Sequence, residues 1–223
     1  MGKDRKRLID LSHVVEHGMV TYRGIPPPLV SDFLTREESR AHYAPGTEFH
    51  IGMIEMAANT GTYLDSPFHR YADGRDLSQL ELSSVAGLEG LVFRADAGSR
   101  PVGRELFGDT PLDGRAVLVH TGWDRHWGSE AYFEGHPFLT REAALHLAGC
   151  KAALVGIDSY NIDDTEDLAR PAHSILLAAG IPVVEHMCNL GKLPASGFRF
   201  FAVPVKVKGL GSFPVRAFAV VGN

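Results

Sequence analysis

Cysteine is scarce in this chain. Among 223 residues only Cys150 and Cys188 occur, and no C-x-x-C pair is present. That excludes a disulfide scaffold and a thiolate zinc site, and two isolated cysteines read as small apolar residues in a reducing compartment. Long apolar runs are missing too. No stretch of about 18 apolar residues exists to span a bilayer, and the basic start Met1–Leu8 lacks the apolar run of a signal peptide. A cytoplasmic location without membrane partners is the expectation. Excess positive charge is also absent: the formal net charge is −5, which argues against a nucleic-acid partner. Internal repeats, low-complexity stretches and linkers are not found, so residues 1–223 are expected to form one domain.

What remains is ordinary globular composition, 44% apolar and 22% charged, with one unusual stretch from Asn59 to His69. Thr60-Gly61-Thr62 forms a turn-prone core; Asp65 follows, then His69 four positions on, with Pro67 between them. Pro67 fixes its own φ and biases Ser66 toward extended backbone, so the segment predicts a stiff loop. A carboxylate and an imidazole on a stiff loop suit metal binding or proton transfer, since both need closely held groups. A turn with a surface histidine is the plainer alternative.

Strands are expected at Leu8–Val15, Phe49–Met56, Leu91–Ala97, Arg115–His120, Ala152–Ile157 and Pro182–Val184, with two more in Phe198–Val207 and Phe213–Val221. Phe49, Ile51 and Met53 alternate as in a half-buried strand, whereas residues 18–46 read as a long surface excursion. Thr140 is placed to cap a helix over 141–148, stopped by Gly149. Pro171 suits the first turn of a helix over 171–179, closed by Gly180. Strands outnumber helices in mixed order. The fold class is therefore α/β, with a mixed, partly antiparallel, barrel-like sheet and flanking helices.

The unit from Asp158 to Glu185 carries the second half of the chemistry. His173 falls in the first turn of a helix and Glu185 ends the next strand, so both return toward one place. With the motif loop nearby, Asp65, His69, His173 and Glu185 converge. Mixed imidazole and carboxylate ligands suit zinc or manganese. His42, His120, His126, His136, His146 and His186 read mostly as surface residues or as groups supporting the site from behind, and the acidic run Asp163–Asp167 as solvated loop charges, with a cover over a pocket mouth as the alternative. His50, on the strand entering the motif, has equal claims to ligand and solvent.

These motifs resemble those of the cyclase family of metal-dependent hydrolases, which includes bacterial kynurenine formamidase and isatin hydrolase. The family's mark is His-x-Gly-Thr-His-x-Asp-x-Pro-x-His; this chain reads Asn59-x-Gly61-Thr62-Tyr63-x-Asp65-x-Pro67-x-His69. Asp10-Leu-Ser-His13, Thr121-Gly122-Trp123, Gly156-Ile-Asp158 and His173–Leu177 extend the likeness. The resemblance implies a swivelling β/β/α fold and hydrolysis of a small amide or lactone. It implies a divalent ion on Asp65, His173 and Glu185, and His69 as the proton-transfer residue beside catalytic Asp65. It also implies a homodimer or homotetramer. Asn59 and Tyr63 stand where the family has two ligand histidines. An amide oxygen binds zinc weakly and a phenol must first lose a proton, so one ion is expected rather than two, with a metal-free protein as the alternative. Asn59, Tyr63, Phe68 and Trp123 are the expected substrate walls. A non-catalytic small-molecule binder of the same fold is the competing function.

Overall fold

The computed structural model describes residues 6–222. In chain order the elements are β1 (Arg7–Asp10), β2 (Leu29–Leu34), α1 (Arg36–Ser39), β3 (Ile51–Glu55), β4 (Tyr63–Asp65), β5 (Ala86–Arg94), β6 (Pro101–Val102), β7 (Ala116–His120), β8 (Phe138–Leu139), α2 (Arg141–Gly149), β9 (Leu154–Ile157), α3 (Pro171–Ala178), β10 (Val183–Glu185), β11 (Phe198–Phe201), β12 (Ser212–Pro214) and β13 (Phe218–Val221). Nine strands form one sheet in the order β1-β13-β11-β5-β7-β9-β10-β4-β12. Its centre, β5-β7-β9-β10, is parallel. Both flanks are antiparallel. The barrel-like expectation thus becomes a curled sheet that stays open, with β1 and β12 as its edges.

Period-two alternation divides the core between the two faces of the sheet. Leu64, Leu118, Leu154, Val184 and Phe200 pack on one side. Val117, Val155, Ile157 and Val183 pack on the other, against Leu147 of α2 and Leu176 of α3. Central β9 is buried along its whole length, as a parallel strand covered on both faces must be. Helix α2 starts where expected, with the Thr140 side chain accepting from the Ala143 amide. Its end differs: Gly149 lies inside the helix and the chain reverses at Lys151, whose φ is 56°.

Three further expectations need correction. The excursion over 18–46 contains β2 and α1. The strand read as half-buried is exposed at every residue, because β3 pairs with β2 alone in a separate two-stranded ribbon. The tail divides into three strands, and β12 crosses to the edge opposite β1 to pair with β4.

Candidate active site

The parallel strands aim their carboxyl ends at one rim of the sheet, where open α/β folds place ligands. Strand β4 is squeezed between β10 and β12. Its register sets Tyr63 directly opposite Glu185, and Asp65 opposite both Val183 and Ser212. Tyr63 and Asp65 are two residues apart and so share a face. Helix α3 covers that side of the sheet and supplies His173 from its first turn. After β4 the chain enters a single 3-10 turn, Pro67–His69. The segment before β12 presses on that turn. A Cβ at Gly211 would lie 2.4 Å from the His69 backbone nitrogen, so only glycine fits there.

Asp65, His69, His173 and Glu185 meet as the spacing suggested. His173 Nδ1 lies 2.6 Å from Asp163 Oδ2. Its Nε2 lies 3.5 Å from Asp65 Oδ2 and 3.7 Å from Glu185 Oε1. Burial would lower the His173 pKa, but the charge of Glu185, the hydrogen bond to Asp163 and the neighbouring Asp65 carboxylate outweigh it and hold the group well above its ordinary value. Asp65, Asp163 and Glu185 are each completely buried, and the His173 ring stands among them. Buried carboxylates without a balancing charge are costly. Asp65 Oδ2 also lacks any hydrogen-bond partner. One ligand atom from each of Asp65, His69 and His173 falls within 4.8 Å of the others. Donor set, charge and orphaned oxygen all fit a divalent cation bound to nitrogen and oxygen.

His69 is the accessible member, its side chain 37% exposed. The Ser212 hydroxyl donates its only proton to Asp65 Oδ1. His69 Nδ1, 2.9 Å from that hydroxyl, must therefore be the donor to Ser212 Oγ. The lone pair is left on Nε2. That tautomer can bind a metal or take a proton.

Glu185 is more tightly engaged than expected. Tyr63 donates to its Oε2 at 2.5 Å, and the Ile162 amide donates to Oε1 at 2.6 Å. Tyr22, from the segment before β2, places its hydroxyl 3.0 Å from that of Tyr63 and 3.4 Å from Glu185 Oε2. Burial and the neighbouring Glu185 push the Tyr63 hydroxyl well above its usual pKa, so it is held as a neutral donor. Asn59 Nδ2 points at Asp65 Oδ1, 3.4 Å away.

His69, His173, Glu185 and Tyr22 border a cavity of about 390 Å³, whereas Asp65 does not line it. Asn59 and Tyr63 line it; Phe68 and Trp123 do not. Trp123 is turned away by its indole N–H, which donates to the Tyr132 carbonyl at 3.0 Å. His50 pairs with Asp32 on the exposed ribbon at 2.7 Å. His186 takes the supporting position of the two expected for it: it is buried, with the Tyr132 hydroxyl 2.9 Å from its Nδ1.

Tyr22, Ser212 and above all Asp163 were not singled out from sequence. Asp163 accepts from the Ala172 and His173 amides at 2.5 and 3.0 Å as well as from the His173 ring. A carboxylate shortly before a proline-initiated helix was the available signal. Asp158, the residue after β9, accepts from the Thr121 and Gly122 amides at 2.7 and 3.0 Å and braces the turn after β7.

A family model described as "Putative cyclase" matches residues 9–164, well over half of the chain. The chain belongs to the cyclase family. Kynurenine formamidase of Bacillus cytotoxicus is 26% identical over 210 residues, covering 94% of this chain and 95% of that protein. The same enzyme of Geobacillus thermodenitrificans is 26% identical over 181 residues, 80% and 84% of the two chains. Among solved structures, isatin hydrolase A from Labrenzia aggregata superposes with a TM-score of 0.81 at 21% identity, over 98% of this chain and 94% of that one. A potential metal-dependent hydrolase with cyclase activity gives 0.79 at 22%, over 98% and 100%. These cyclase-fold neighbours share the architecture described above.

Proposed function

We propose that this cyclase-family protein is a metal-dependent hydrolase of a small amide or lactone, resembling kynurenine formamidase in reaction type and acting in the cytoplasm. The observation that carries the reading is His173 Nε2 facing two buried carboxylates, one with an oxygen that nothing in the protein satisfies. Asp65, His173 and Glu185 would hold one divalent ion, zinc or manganese. Bound there, the ion supplies Lewis-acid activation of water and of the substrate carbonyl. Asp163 fixes the His173 tautomer. His69 Nε2 takes the proton as the water oxygen bonds to carbon, then returns it to the leaving nitrogen or oxygen as that bond breaks.

A second ligand set has its own support. His69 clusters with Asp65 and His173, while Tyr63, Tyr22 and the Ile162 amide engage Glu185. Metal analysis of variants separates the two. With His69 as base, His69→Ala keeps its ion and loses about 10²–10⁴-fold in kcat, while Glu185→Gln loses the ion. The reverse pattern assigns His69 to the metal. Wild-type protein that takes up no ion, and cleaves no aryl formamide or lactone with Zn²⁺ or Mn²⁺ added, would favour the non-catalytic binder.

The molecule works as a homodimer or homotetramer in this reading. The β2–β3 ribbon supports it, carrying Phe33 at 71% exposure and Met53 at 52%, and clustered exposed apolar side chains mark interaction surfaces. Light scattering should give a multiple of the 24.2 kDa chain mass, and Phe33→Glu should shift it toward that mass. A monomeric wild type removes the idea.

A further inference from the structure

The cavity's walls and mouth differ chemically from its floor. Glu185, His173 and Tyr63 line the floor. Tyr22 and Ile25 give an apolar wall, and Leu168, 90% exposed, stands at the rim. Two arginines also line it, exposed Arg70 from the motif loop and half-buried Arg170 from the loop before α3. Among the described residues neither guanidinium has a carboxylate within 4.0 Å. Arg70 Nε donates to Ser174 Oγ at 3.3 Å, and Arg170 Nη1 donates to the Asp164 carbonyl at 3.4 Å. Arg70 also lies over the Tyr71 ring, 5.3 Å from its centroid, and each guanidinium keeps most of its donors.

Arg170 also has an unusual backbone. Its φ and ψ are 46° and 61°, a left-handed conformation that is unfavourable for a residue other than glycine. It precedes Pro171, where extended backbone is favoured. Glycine would relieve the strain, so the side chain is what the position supplies. Strain of this kind gathers at ligand clamps.

We propose that Arg70 and Arg170 select a substrate bearing a carboxylate on an apolar, single-ring body, with its scissile bond toward the floor and its anionic group at the mouth. The inference rests on the hydrolase reading and adds the substrate class. Guanidinium recognises carboxylate through charge-assisted, often paired hydrogen bonds. Two such charges at the mouth also offset the acidic floor as an anion approaches.

The test compares 3-formamidobenzoate with its neutral isostere 3-formamidobenzamide, with Zn²⁺ added. A charged hydrogen bond contributes about 1.5–3 kcal/mol. The wild-type kcat/KM ratio of acid to amide should accordingly exceed about tenfold, mostly through KM. Arg170→Gln and Arg70→Gln should each cut that ratio severalfold, and Arg170→Lys should retain more of it than Arg170→Gln. A wild-type ratio near one, or one unmoved by both glutamine variants, overturns the proposal.

A binding arm needs no turnover. By calorimetry, 3-aminobenzoate should bind at least about tenfold more tightly than 3-aminobenzamide, through the same arginines. Charge-selective binding without cleavage of either formamide sinks the hydrolase reading and leaves this one standing. Equal binding, or no binding of 3-aminobenzoate, sinks this one.

Discussion

His173 shows how much of the site depends on groups that do no chemistry. Asp163 holds one ring nitrogen and the first-turn amides of α3, so the other nitrogen faces Asp65 and Glu185. Partners of this kind set the affinity of a metal site by about 10–100-fold. Asp163→Asn should weaken Zn²⁺ binding by that factor in a chelator competition titration, while circular dichroism remains native. Unchanged affinity would reduce Asp163 to a helix cap. The four converging side chains were legible because motif and spacing both marked them. Asp163 was not, because it opens the run Asp163-Asp164-Thr165-Glu166-Asp167. Composition cannot separate the one buried carboxylate from exposed neighbours such as Glu166 and Asp167.

Short elements do the positioning. Strand β4 has three residues, yet pairing on both sides fixes which groups it presents. Gly211 matters for the same reason, since its backbone lies flat against the His69 turn and donates no bulk. Gly211→Ala would set a Cβ 2.4 Å from the His69 nitrogen and 2.5 Å from its Cα. Backbone must then move, at about 1–3 kcal/mol. A lowered melting temperature is expected, with a loss of activity that persists at temperatures where the variant is fully folded. Full activity in the folded variant would show that the turn tolerates the shift. The run Ala152–Ile157 and the Pro171 helix start were readable, because burial on both faces and proline geometry leave local marks. The exposure of β3 was not, since alternating Phe49, Ile51 and Met53 look alike whether or not a partner covers them.

Across the molecule, packing on both faces of the open sheet carries polar groups inside. His13, in the loop after β1, stacks on Trp127 with ring centroids 4.0 Å apart, and its Nε2 is buried without a partner. Burial lowers its pKa to about 4 against the opposing charge of Asp124. Between about 6.5 and about 4 the unfolded chain binds a proton at His13 and the native protein does not. Native stability therefore rises with pH through that window and is lost as pH falls through it. Urea midpoints measured across the window should decline less for His13→Phe, which keeps a ring on Trp127, than for wild type. Parallel declines would place the acid sensitivity elsewhere.

The amino-acid order settled the local matters: a stiff loop bearing Asp65 and His69, a helix opening at Pro171 with His173 in its first turn, and the chemical identity of each candidate ligand. These follow from backbone restriction and short-range periodicity, which act over a few residues. It also marked Asn59 and Tyr63 as departures from the family pattern. Tertiary structure settled the partners. Sheet register set Tyr63 against Glu185, folding of the early segment brought Tyr22 onto the same carboxylate, and two distant loops put Arg70 and Arg170 on one cavity. A two-residue period names the face a side chain occupies. It leaves open which strand lies alongside, because that choice comes from hydrogen bonds between residues far apart in the chain.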